Sequence, residues 1–186
     1  DFLTRAAQLK AARPGFTLST DILVGFPRET EQDFEDTLSL VREAGFVGVF
    51  GFKYSPRPHT PALRLGDTVP EEVKRERLDR LFAVADVQQQ RHLHTLVGRS
   101  LEVLIEGRSK TDPTRLTGRS ERHEIVHVPA PEGIDLVGRL LTVRVIEANK
   151  RSLLGEPLTP FAASEPRVAP KLPNPRPAVR LPLVSS

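Results

Sequence analysis

Residues 20–30, with the sequence TDILVGFPRET, constrain the fold of this chain more than any other stretch. Two of the three apolar residues before Gly25 are β-branched, which favours a strand that is buried on both faces. Gly25 permits close backbone approach, and Pro27 ends the strand because proline has no N–H to donate. Thr30 and Asp33 have the spacing of a capping box, so a helix is predicted to begin directly after this strand.

The residues that follow complete a strand–helix–strand unit. The predicted elements are a helix over residues 1–14, a strand over 16–25, a helix over 30–44 that Gly45 ends, and a second strand over 46–54. Short connections of this kind make the two strands parallel, with a right-handed crossover. Ligands of parallel sheets lie beyond the carboxyl ends of the strands, which here are residues 25–30 and 54–61. Spacing alone leaves ordinary loops as an equally good interpretation of both segments.

The second strand carries an aromatic face. Phe46, Phe50, Phe52 and Tyr54 share it by the period of two, and such a face is expected to be core. Tyr54, at the carboxyl end of the strand, is expected to lie near the ligand pocket instead.

A long helix follows, and after it the hydrophobic pattern changes from helical spacing to alternation. Thr68 is the predicted cap of a helix that runs to about residue 94, and its mixed charges are interpreted as a solvated face with (i, i+4) pairs. From Val97 onward, short alternating segments separated by glycines predict a small antiparallel barrel of about sixty residues. The fold class is therefore α/β plus all-β. The predicted division is 1–95 for the α/β part and connecting helix, 96–160 for the barrel, and 161–186 for a disordered, proline-rich basic tail.

Composition limits the chemistry. The chain has 186 residues, 38% hydrophobic and 27% charged, without a membrane-length apolar run or a signal-peptide pattern, so a cytoplasmic protein without membrane contact is expected. The formal net charge of +3 is weak evidence for a polyanion partner. The lack of methionine leads us to expect a fragment of a longer protein. The lack of cysteine removes disulfides, thiol nucleophiles and thiolate cluster ligands, and we assign no catalytic or metal-binding residue.

Two loop motifs carry a family resemblance. Residues 21–30 resemble the D-I-x-V-G-F-P-G-E-T pattern of radical S-adenosylmethionine tRNA methylthiotransferases, and residues 54–62 resemble their Y-S-P-R-P-G-T-P-A pattern. Arg28 and His59 each replace a glycine of those patterns. Residues 97–156 resemble the TRAM domain, the OB-like RNA-binding barrel of tRNA-modifying enzymes, and end like the methylthiotransferase version. The resemblance implies the C-terminal part of a radical-SAM partial (β/α) barrel followed by TRAM.

The resemblance also implies a reaction and its cofactors. Such enzymes, most closely those acting on isopentenylated adenosine, add a methylthio group to C2 of N6-isopentenyladenosine beside the anticodon. They use S-adenosylmethionine and two 4Fe-4S clusters, whose ligands are absent from this chain, which is therefore expected to be inactive alone. The implied partners are the anticodon stem-loop of tRNA and a reductant such as flavodoxin or ferredoxin, and a monomer is expected.

The resemblance assigns site residues by position. Gly25, Phe26 and Glu29 would bind the cofactor, while Thr30 is better explained as a cap. Substrate would be bound by two groups of residues, which are Tyr54, Ser55, Arg57 and Thr60 in the second loop and Lys110, Arg119 and Arg122 in the barrel. A purely structural role for the Ser55 and Arg57 loop stays open. The barrel segment has no Phe, Tyr or Trp, so phosphate and shape contacts are favoured over base stacking.

Two alternatives remain at this point. One is the related methylthiotransferase that modifies an aspartate of a ribosomal protein. The other is an RNA-binding module that catalyses nothing and retains a vestigial α/β half.

Overall fold

The computed structural model describes residues 1–66 and 68–159, so the predicted tail lies outside the described residues. The helices are α1 (Phe2–Ala12), α2 (Glu31–Ala44) and α3 (Glu71–Thr95), with a short 3-10 helix at Pro61–Leu65. The strands are β1 (Ser19–Val24), β2 (Gly48–Lys53), β3 (Ser100–Arg108), β4 (Arg115–Ser120), β5 (Ile125–Pro129), β6 (Leu140–Ala148) and β7 (Leu153–Pro157). In this described part, no helix is both long enough and apolar enough to cross a bilayer.

The strand–helix–strand prediction is confirmed. β1 and β2 are parallel neighbours in register from Ser19 opposite Gly48 to Val24 opposite Lys53, and α2 forms the crossover between them. The Thr30 side chain accepts from the backbone N–H of Asp33, and the Asp33 carboxylate accepts from the backbone N–H of Thr30. This is the capping box that the sequence predicts, and it fixes where α2 begins.

Only one face of the two-stranded sheet is covered by the described helices. Val24, Phe34 and Leu81 are fully buried in the core between sheet and helices. A Cβ on Gly51 would lie only 2.8 Å from a Leu78 methyl carbon, which shows how closely α3 approaches that face. The opposite face is open. The predicted aromatic core is therefore wrong for Phe50 and Phe52, which are 58% and 55% exposed, because α2 and α3 pack against the alternate residues.

The second half is a closed five-stranded barrel in the order β3-β4-β5-β7-β6. The predicted small barrel is confirmed, but it is not wholly antiparallel, since β5 and β7 pair in parallel. Its core consists of the inward residues of the alternating segments, Val103, Ile105, Val126, Val128, Val143, Val145 and Leu153. Leu93 and Leu96, at the end of α3, are buried in the same core. The helix is therefore packed at one end on the sheet and at the other end on the barrel.

Candidate functional site

The two loops singled out by the sequence meet at the carboxyl edge of the sheet. The backbone N–H of Tyr54 donates to the carbonyl of Val24 at 2.8 Å, which continues the strand pairing by one step. The Phe26 and Tyr54 rings meet edge to face with their centroids 5.3 Å apart. Tyr54 is buried, whereas Phe26 stays 40% exposed. Phe26 thus presents an apolar ring surface at this edge.

Gly25 lies against a buried lysine. Its φ is +73°, and a Cβ at this position would lie 2.3 Å from Cγ of Lys74. Lys74 is only 2% exposed, with Nζ 5.5 Å from the Tyr54 ring centroid and 3.4 Å from the Tyr54 carbonyl oxygen. A side chain at position 25 would require the left-handed conformation and would displace the Lys74 stem.

Glu29 is held in a buried ion pair with α3. One carboxylate oxygen accepts from the backbone N–H of Gly25 at 2.7 Å and from Nη1 of Arg77 at 2.6 Å. The two side chains are only 12% and 5% exposed. Arg77 Nη1 also donates to the Glu29 carbonyl at 3.2 Å, and its Nη2 lies 3.2 Å from Glu31. The Glu29–Arg77 pair therefore fixes the backbone of residues 25–29 relative to α3.

This arrangement corrects the interpretation of the charged residues of α3 as a solvated face. Lys74 and Arg77 are buried beneath the loop, at 2% and 4% exposure. A signal for them exists in the sequence, because positions 74, 77, 78, 81 and 85 follow the helical spacing of the apolar stripe. Because two of these positions are charged, a count of apolar residues alone does not show that they belong to the buried stripe.

The two residues that replace family glycines keep a glycine-like backbone. Arg28 has a φ of +71° and His59 a φ of +64°. Such values cost a residue with a Cβ about 1–2 kcal/mol. The backbone N–H of Arg28 donates to the Thr68 hydroxyl at 2.9 Å. The prediction that Thr68 caps α3 is wrong, since the N-cap residue is Pro70.

The remaining predicted residues of the second loop lie outside this cluster. Ser55 and Arg57 are exposed, and within the described chain their side chains form no hydrogen bond or ion pair. The Thr60 hydroxyl donates to the Arg57 carbonyl at 2.8 Å, so it closes the turn in which it lies.

The structure does not gather the three predicted barrel cations into one patch. Lys110 lies in the turn before β4 and Arg122 in the turn after it, so a six-residue strand separates them by about 20 Å. Arg119 Nε lies 3.2 Å from a carboxylate oxygen of Glu106, which offsets part of its charge. Lys110 is exposed and has no ion pair with any described residue.

Hydrogen bonds lower the pKa of one carboxyl group beside the first loop and of one in the barrel. Hydrogen bonds from the Thr30 hydroxyl and backbone lower the pKa of Asp33, as expected for a helix-capping carboxylate. Burial tends to raise the pKa of Glu124, but hydrogen bonds from His92 and Ser120 outweigh it and leave the pKa below its ordinary value. The described residues contain no group of three side chains placed to hold a metal ion.

Comparison with known proteins agrees with this architecture. The TRAM domain model matches residues 94–158. A tRNA-2-methylthio-N(6)-dimethylallyladenosine synthase of Sorangium cellulosum is 51% identical over 100% of this chain and 39% of its own length. Proteins of the same name from Alkalilimnicola ehrlichii and Geobacillus thermodenitrificans are each 44% identical over 84% of the chain. The chain spans 34% and 29% of those two relatives. Residues 94–158 thus match the TRAM domain family, and the whole chain is similar to part of the tRNA-2-methylthio-N(6)-dimethylallyladenosine synthases.

Proposed function

We propose that this chain is the C-terminal part of a tRNA methylthiotransferase that adds a methylthio group to C2 of N6-isopentenyladenosine next to the anticodon. The observation that carries the proposal is the 51% identity to a synthase of that name, which extends over the full chain. The TRAM domain supports tRNA as the macromolecular substrate. In the neighbouring α/β unit, residues 25–29 and Tyr54 form what we call the loop cluster. The buried side chains of Lys74 and Arg77 hold it against α3.

The cofactor assignment rests on the surface that Phe26 presents. An exposed ring beside a side-chain-free Gly25 fits a flat adenine, which can stack on the ring while its edge reaches backbone groups. S-adenosylmethionine, when bound, supplies the methyl group and the radical chemistry of the proposed reaction. Glu29 is better explained as a positioning residue, since the oxygen nearest the loop already accepts from Gly25 and Arg77.

The residues of this chain do not fit an iron–sulfur cluster, because it has no cysteine. The clusters of the proposed enzyme would need ligands from other parts of a longer protein. Chain reconstituted anaerobically with iron and sulfide is accordingly expected to show no cluster absorbance and no cleavage of S-adenosylmethionine. Deoxyadenosine above the blank would contradict the proposed fragment.

The exposed sheet face supports the proposed partial (β/α) barrel. Leu23 lies opposite Phe52 in the register, and both are about half exposed, while helices cover the other face. In a (β/α) barrel the helices form the outer layer and the inward face of each strand packs against the other strands. Leu23, Phe50 and Phe52 would then point into the barrel of the whole enzyme.

The substrate residues complete the proposal. Tyr54 would form the wall of the loop cluster, and Ser55, Arg57 and Thr60, which follow it in the loop after β2, would meet the substrate outside the cluster. Arg57 is the one proposed for polar contact with tRNA or cofactor, since it is exposed and its side chain has no described partner. A reductant such as flavodoxin or ferredoxin, a cytoplasmic location and a monomeric state belong to the proposed whole enzyme.

A replacement experiment tests the function. In the Sorangium cellulosum relative, the segment aligned to this chain is replaced by this chain, and the hybrid is expressed in cells that lack their own synthase. Mass spectrometry of tRNA nucleosides is expected to detect the 2-methylthio form of N6-isopentenyladenosine. A folded hybrid that binds tRNA but leaves it unmodified would contradict the proposal. Methylthiolation of a ribosomal protein in place of tRNA would favour the related enzyme.

A further inference from the structure

A groove lies between the α/β unit and the barrel, at the edge of the sheet opposite to the two loops. We call it the junction groove. It has a volume of about 680 Å³ and is bordered by the turn between α1 and β1, the start of β2, the end of α3 and the turn between β4 and β5. The junction groove lies apart from the loop cluster, because it meets the strands where they begin.

The charge of the junction groove has one sign. Its basic residues are Lys10, Arg91, His92, Arg99 and Arg122, and none of the described residues that border it is Asp or Glu. Arg91 and Arg99 are exposed, and neither has an ion pair with a described residue. Lys10 donates to the Ala44 carbonyl at 2.6 Å, at the end of α2. Two arginines therefore remain without a compensating charge, which favours an anion in the groove.

Contacts between the two units hold the walls of the junction groove in place. The Arg122 guanidinium lies over Gly15, where a Cβ would be only 3.2 Å from Nη1. His92 Nε2 lies 2.8 Å from a carboxylate oxygen of Glu124, and these side chains are 14% and 7% exposed. The ion pair between Arg122 and the mostly exposed Glu121 is longer, at 3.6 Å, and is worth little. The basic side chains are thus presented from two units whose spacing is fixed.

The length of α3 sets the distance from the loop cluster. Arg77 contacts the first loop and Arg91 borders the junction groove, and they are fourteen residues apart, or about 21 Å along the helix. A ligand that occupies both places must span this distance, as the phosphate backbone of a nucleic acid does. Arginine suits such a ligand because its guanidinium binds phosphate oxygens in a bidentate manner.

We infer that the junction groove binds the RNA phosphate backbone at a distance from the nucleoside being modified. This inference rests on the proposed function, since it makes tRNA the ligand of both sites. Of the three predicted barrel cations it keeps Arg122, and it moves the other main phosphate contacts from Lys110 and Arg119 to Arg91 and Arg99. Binding there is independent of base sequence, because phosphate contacts carry no base information.

The test compares double variants of the full chain in binding to whole tRNA across a salt series. Arg91→Gln with Arg99→Gln is expected to lower the affinity about a hundredfold, since each of the two arginine–phosphate contacts is a charge-assisted hydrogen bond worth about tenfold. The slope of log affinity against log salt is expected to fall by about 1.4–1.8, because two contacts are lost. Arg5→Gln with Arg75→Gln is the matched control, since it removes equal charge from exposed positions on α1 and α3 outside the groove.

Each outcome has a distinct meaning. If the wild-type chain binds no tRNA, both the RNA part of the proposed function and this inference are overturned. If it binds tRNA and the Arg91 and Arg99 variant keeps the wild-type slope, only the junction groove is overturned. The same holds if Lys110→Gln with Arg119→Gln alone lowers the slope, or if the control lowers it equally. Circular dichroism melts confirm that every variant is folded.

Discussion

Arg77 and Glu29, which are forty-eight positions apart in sequence, form a buried ion pair with Nη1 and the carboxylate oxygen 2.6 Å apart. The same oxygen accepts from the backbone N–H of Gly25, so the pair joins α3 to the loop that follows β1. A pair of this kind positions a loop without touching the ligand. It also leaves an uncompensated charge when either partner is removed.

Arg77→Ala is therefore expected to destabilise the α/β unit by about 3–5 kcal/mol, because Glu29 would stay buried without its partner. Urea unfolding followed by tyrosine fluorescence measures this unit selectively, since Tyr54 is the only tyrosine and the chain has no tryptophan. The exposed neighbour Arg75→Ala should change the free energy of unfolding by less than about 0.5 kcal/mol.

Adding Glu29→Gln to Arg77→Ala sharpens that test. The double variant no longer buries an unpaired carboxylate, so its cost should be smaller than the sum of the two single costs. Additive costs would show that the two side chains act independently and would contradict the positioning role of the pair.

Gly25→Ala is expected to cost more than Gly45→Ala, although both glycines have a positive φ, of +73° and +60°. A Cβ on Gly25 would meet Cγ of Lys74 at 2.3 Å, whereas a Cβ on Gly45 would meet only Nζ of Lys10, at 3.3 Å. The difference in the free energy of unfolding, expected to be about 1–3 kcal/mol, isolates the contact with the Lys74 stem from the cost of a positive φ. Equal costs in urea titrations would mean that the Lys74 stem moves aside freely.

Much of this cluster could be predicted from local sequence, and the rest could not, for a physical reason. The capping box of Thr30, the glycine end of α2 and the parallel strands follow from short-range patterns. Whether Phe50 and Phe52 are buried depends on which face of the sheet the helices cover. The alternation of residues along β2 does not determine this. Lys74 and Arg77 are buried because their partners come from loops about 20 and 48 residues away along the chain.

Arg28→Gly and His59→Gly are each expected to stabilise the α/β unit by up to about 1 kcal/mol. Both residues hold a positive φ, and glycine removes that strain at the smaller cost of a more flexible unfolded chain. Ser55→Gly is the control, because Ser55 is exposed in the loop of His59 without a positive φ, and this variant should lose about 0.5 kcal/mol. Destabilisation by both test variants would show that the Arg28 and His59 side chains contribute more than their backbone strain costs.

The contact between Glu124 and His92 is expected to make the packing of α3 on the barrel less stable in acid. Hydrogen bonds hold the pKa of Glu124 below its ordinary value of 4.5 in the folded chain despite its burial. A carboxyl group with a lowered folded pKa contributes stability that is complete above the unfolded value and is lost as the pH falls through the folded value. The stabilisation should therefore be present at neutral pH and disappear below about pH 4.5.

Glu124→Gln tests this dependence, with thermal unfolding followed by circular dichroism because the barrel lacks aromatic residues. At neutral pH the variant should lose about 1–3 kcal/mol, since it weakens charge-assisted hydrogen bonds to His92 and Ser120. The difference in the free energy of unfolding between variant and wild type should disappear as the pH falls below about 4.5. Glu121→Gln, whose side chain is 77% exposed, should follow the wild type throughout. A gap that stays constant on acidification would show that Glu124 contributes by its shape and packing, because its charge would then make no difference.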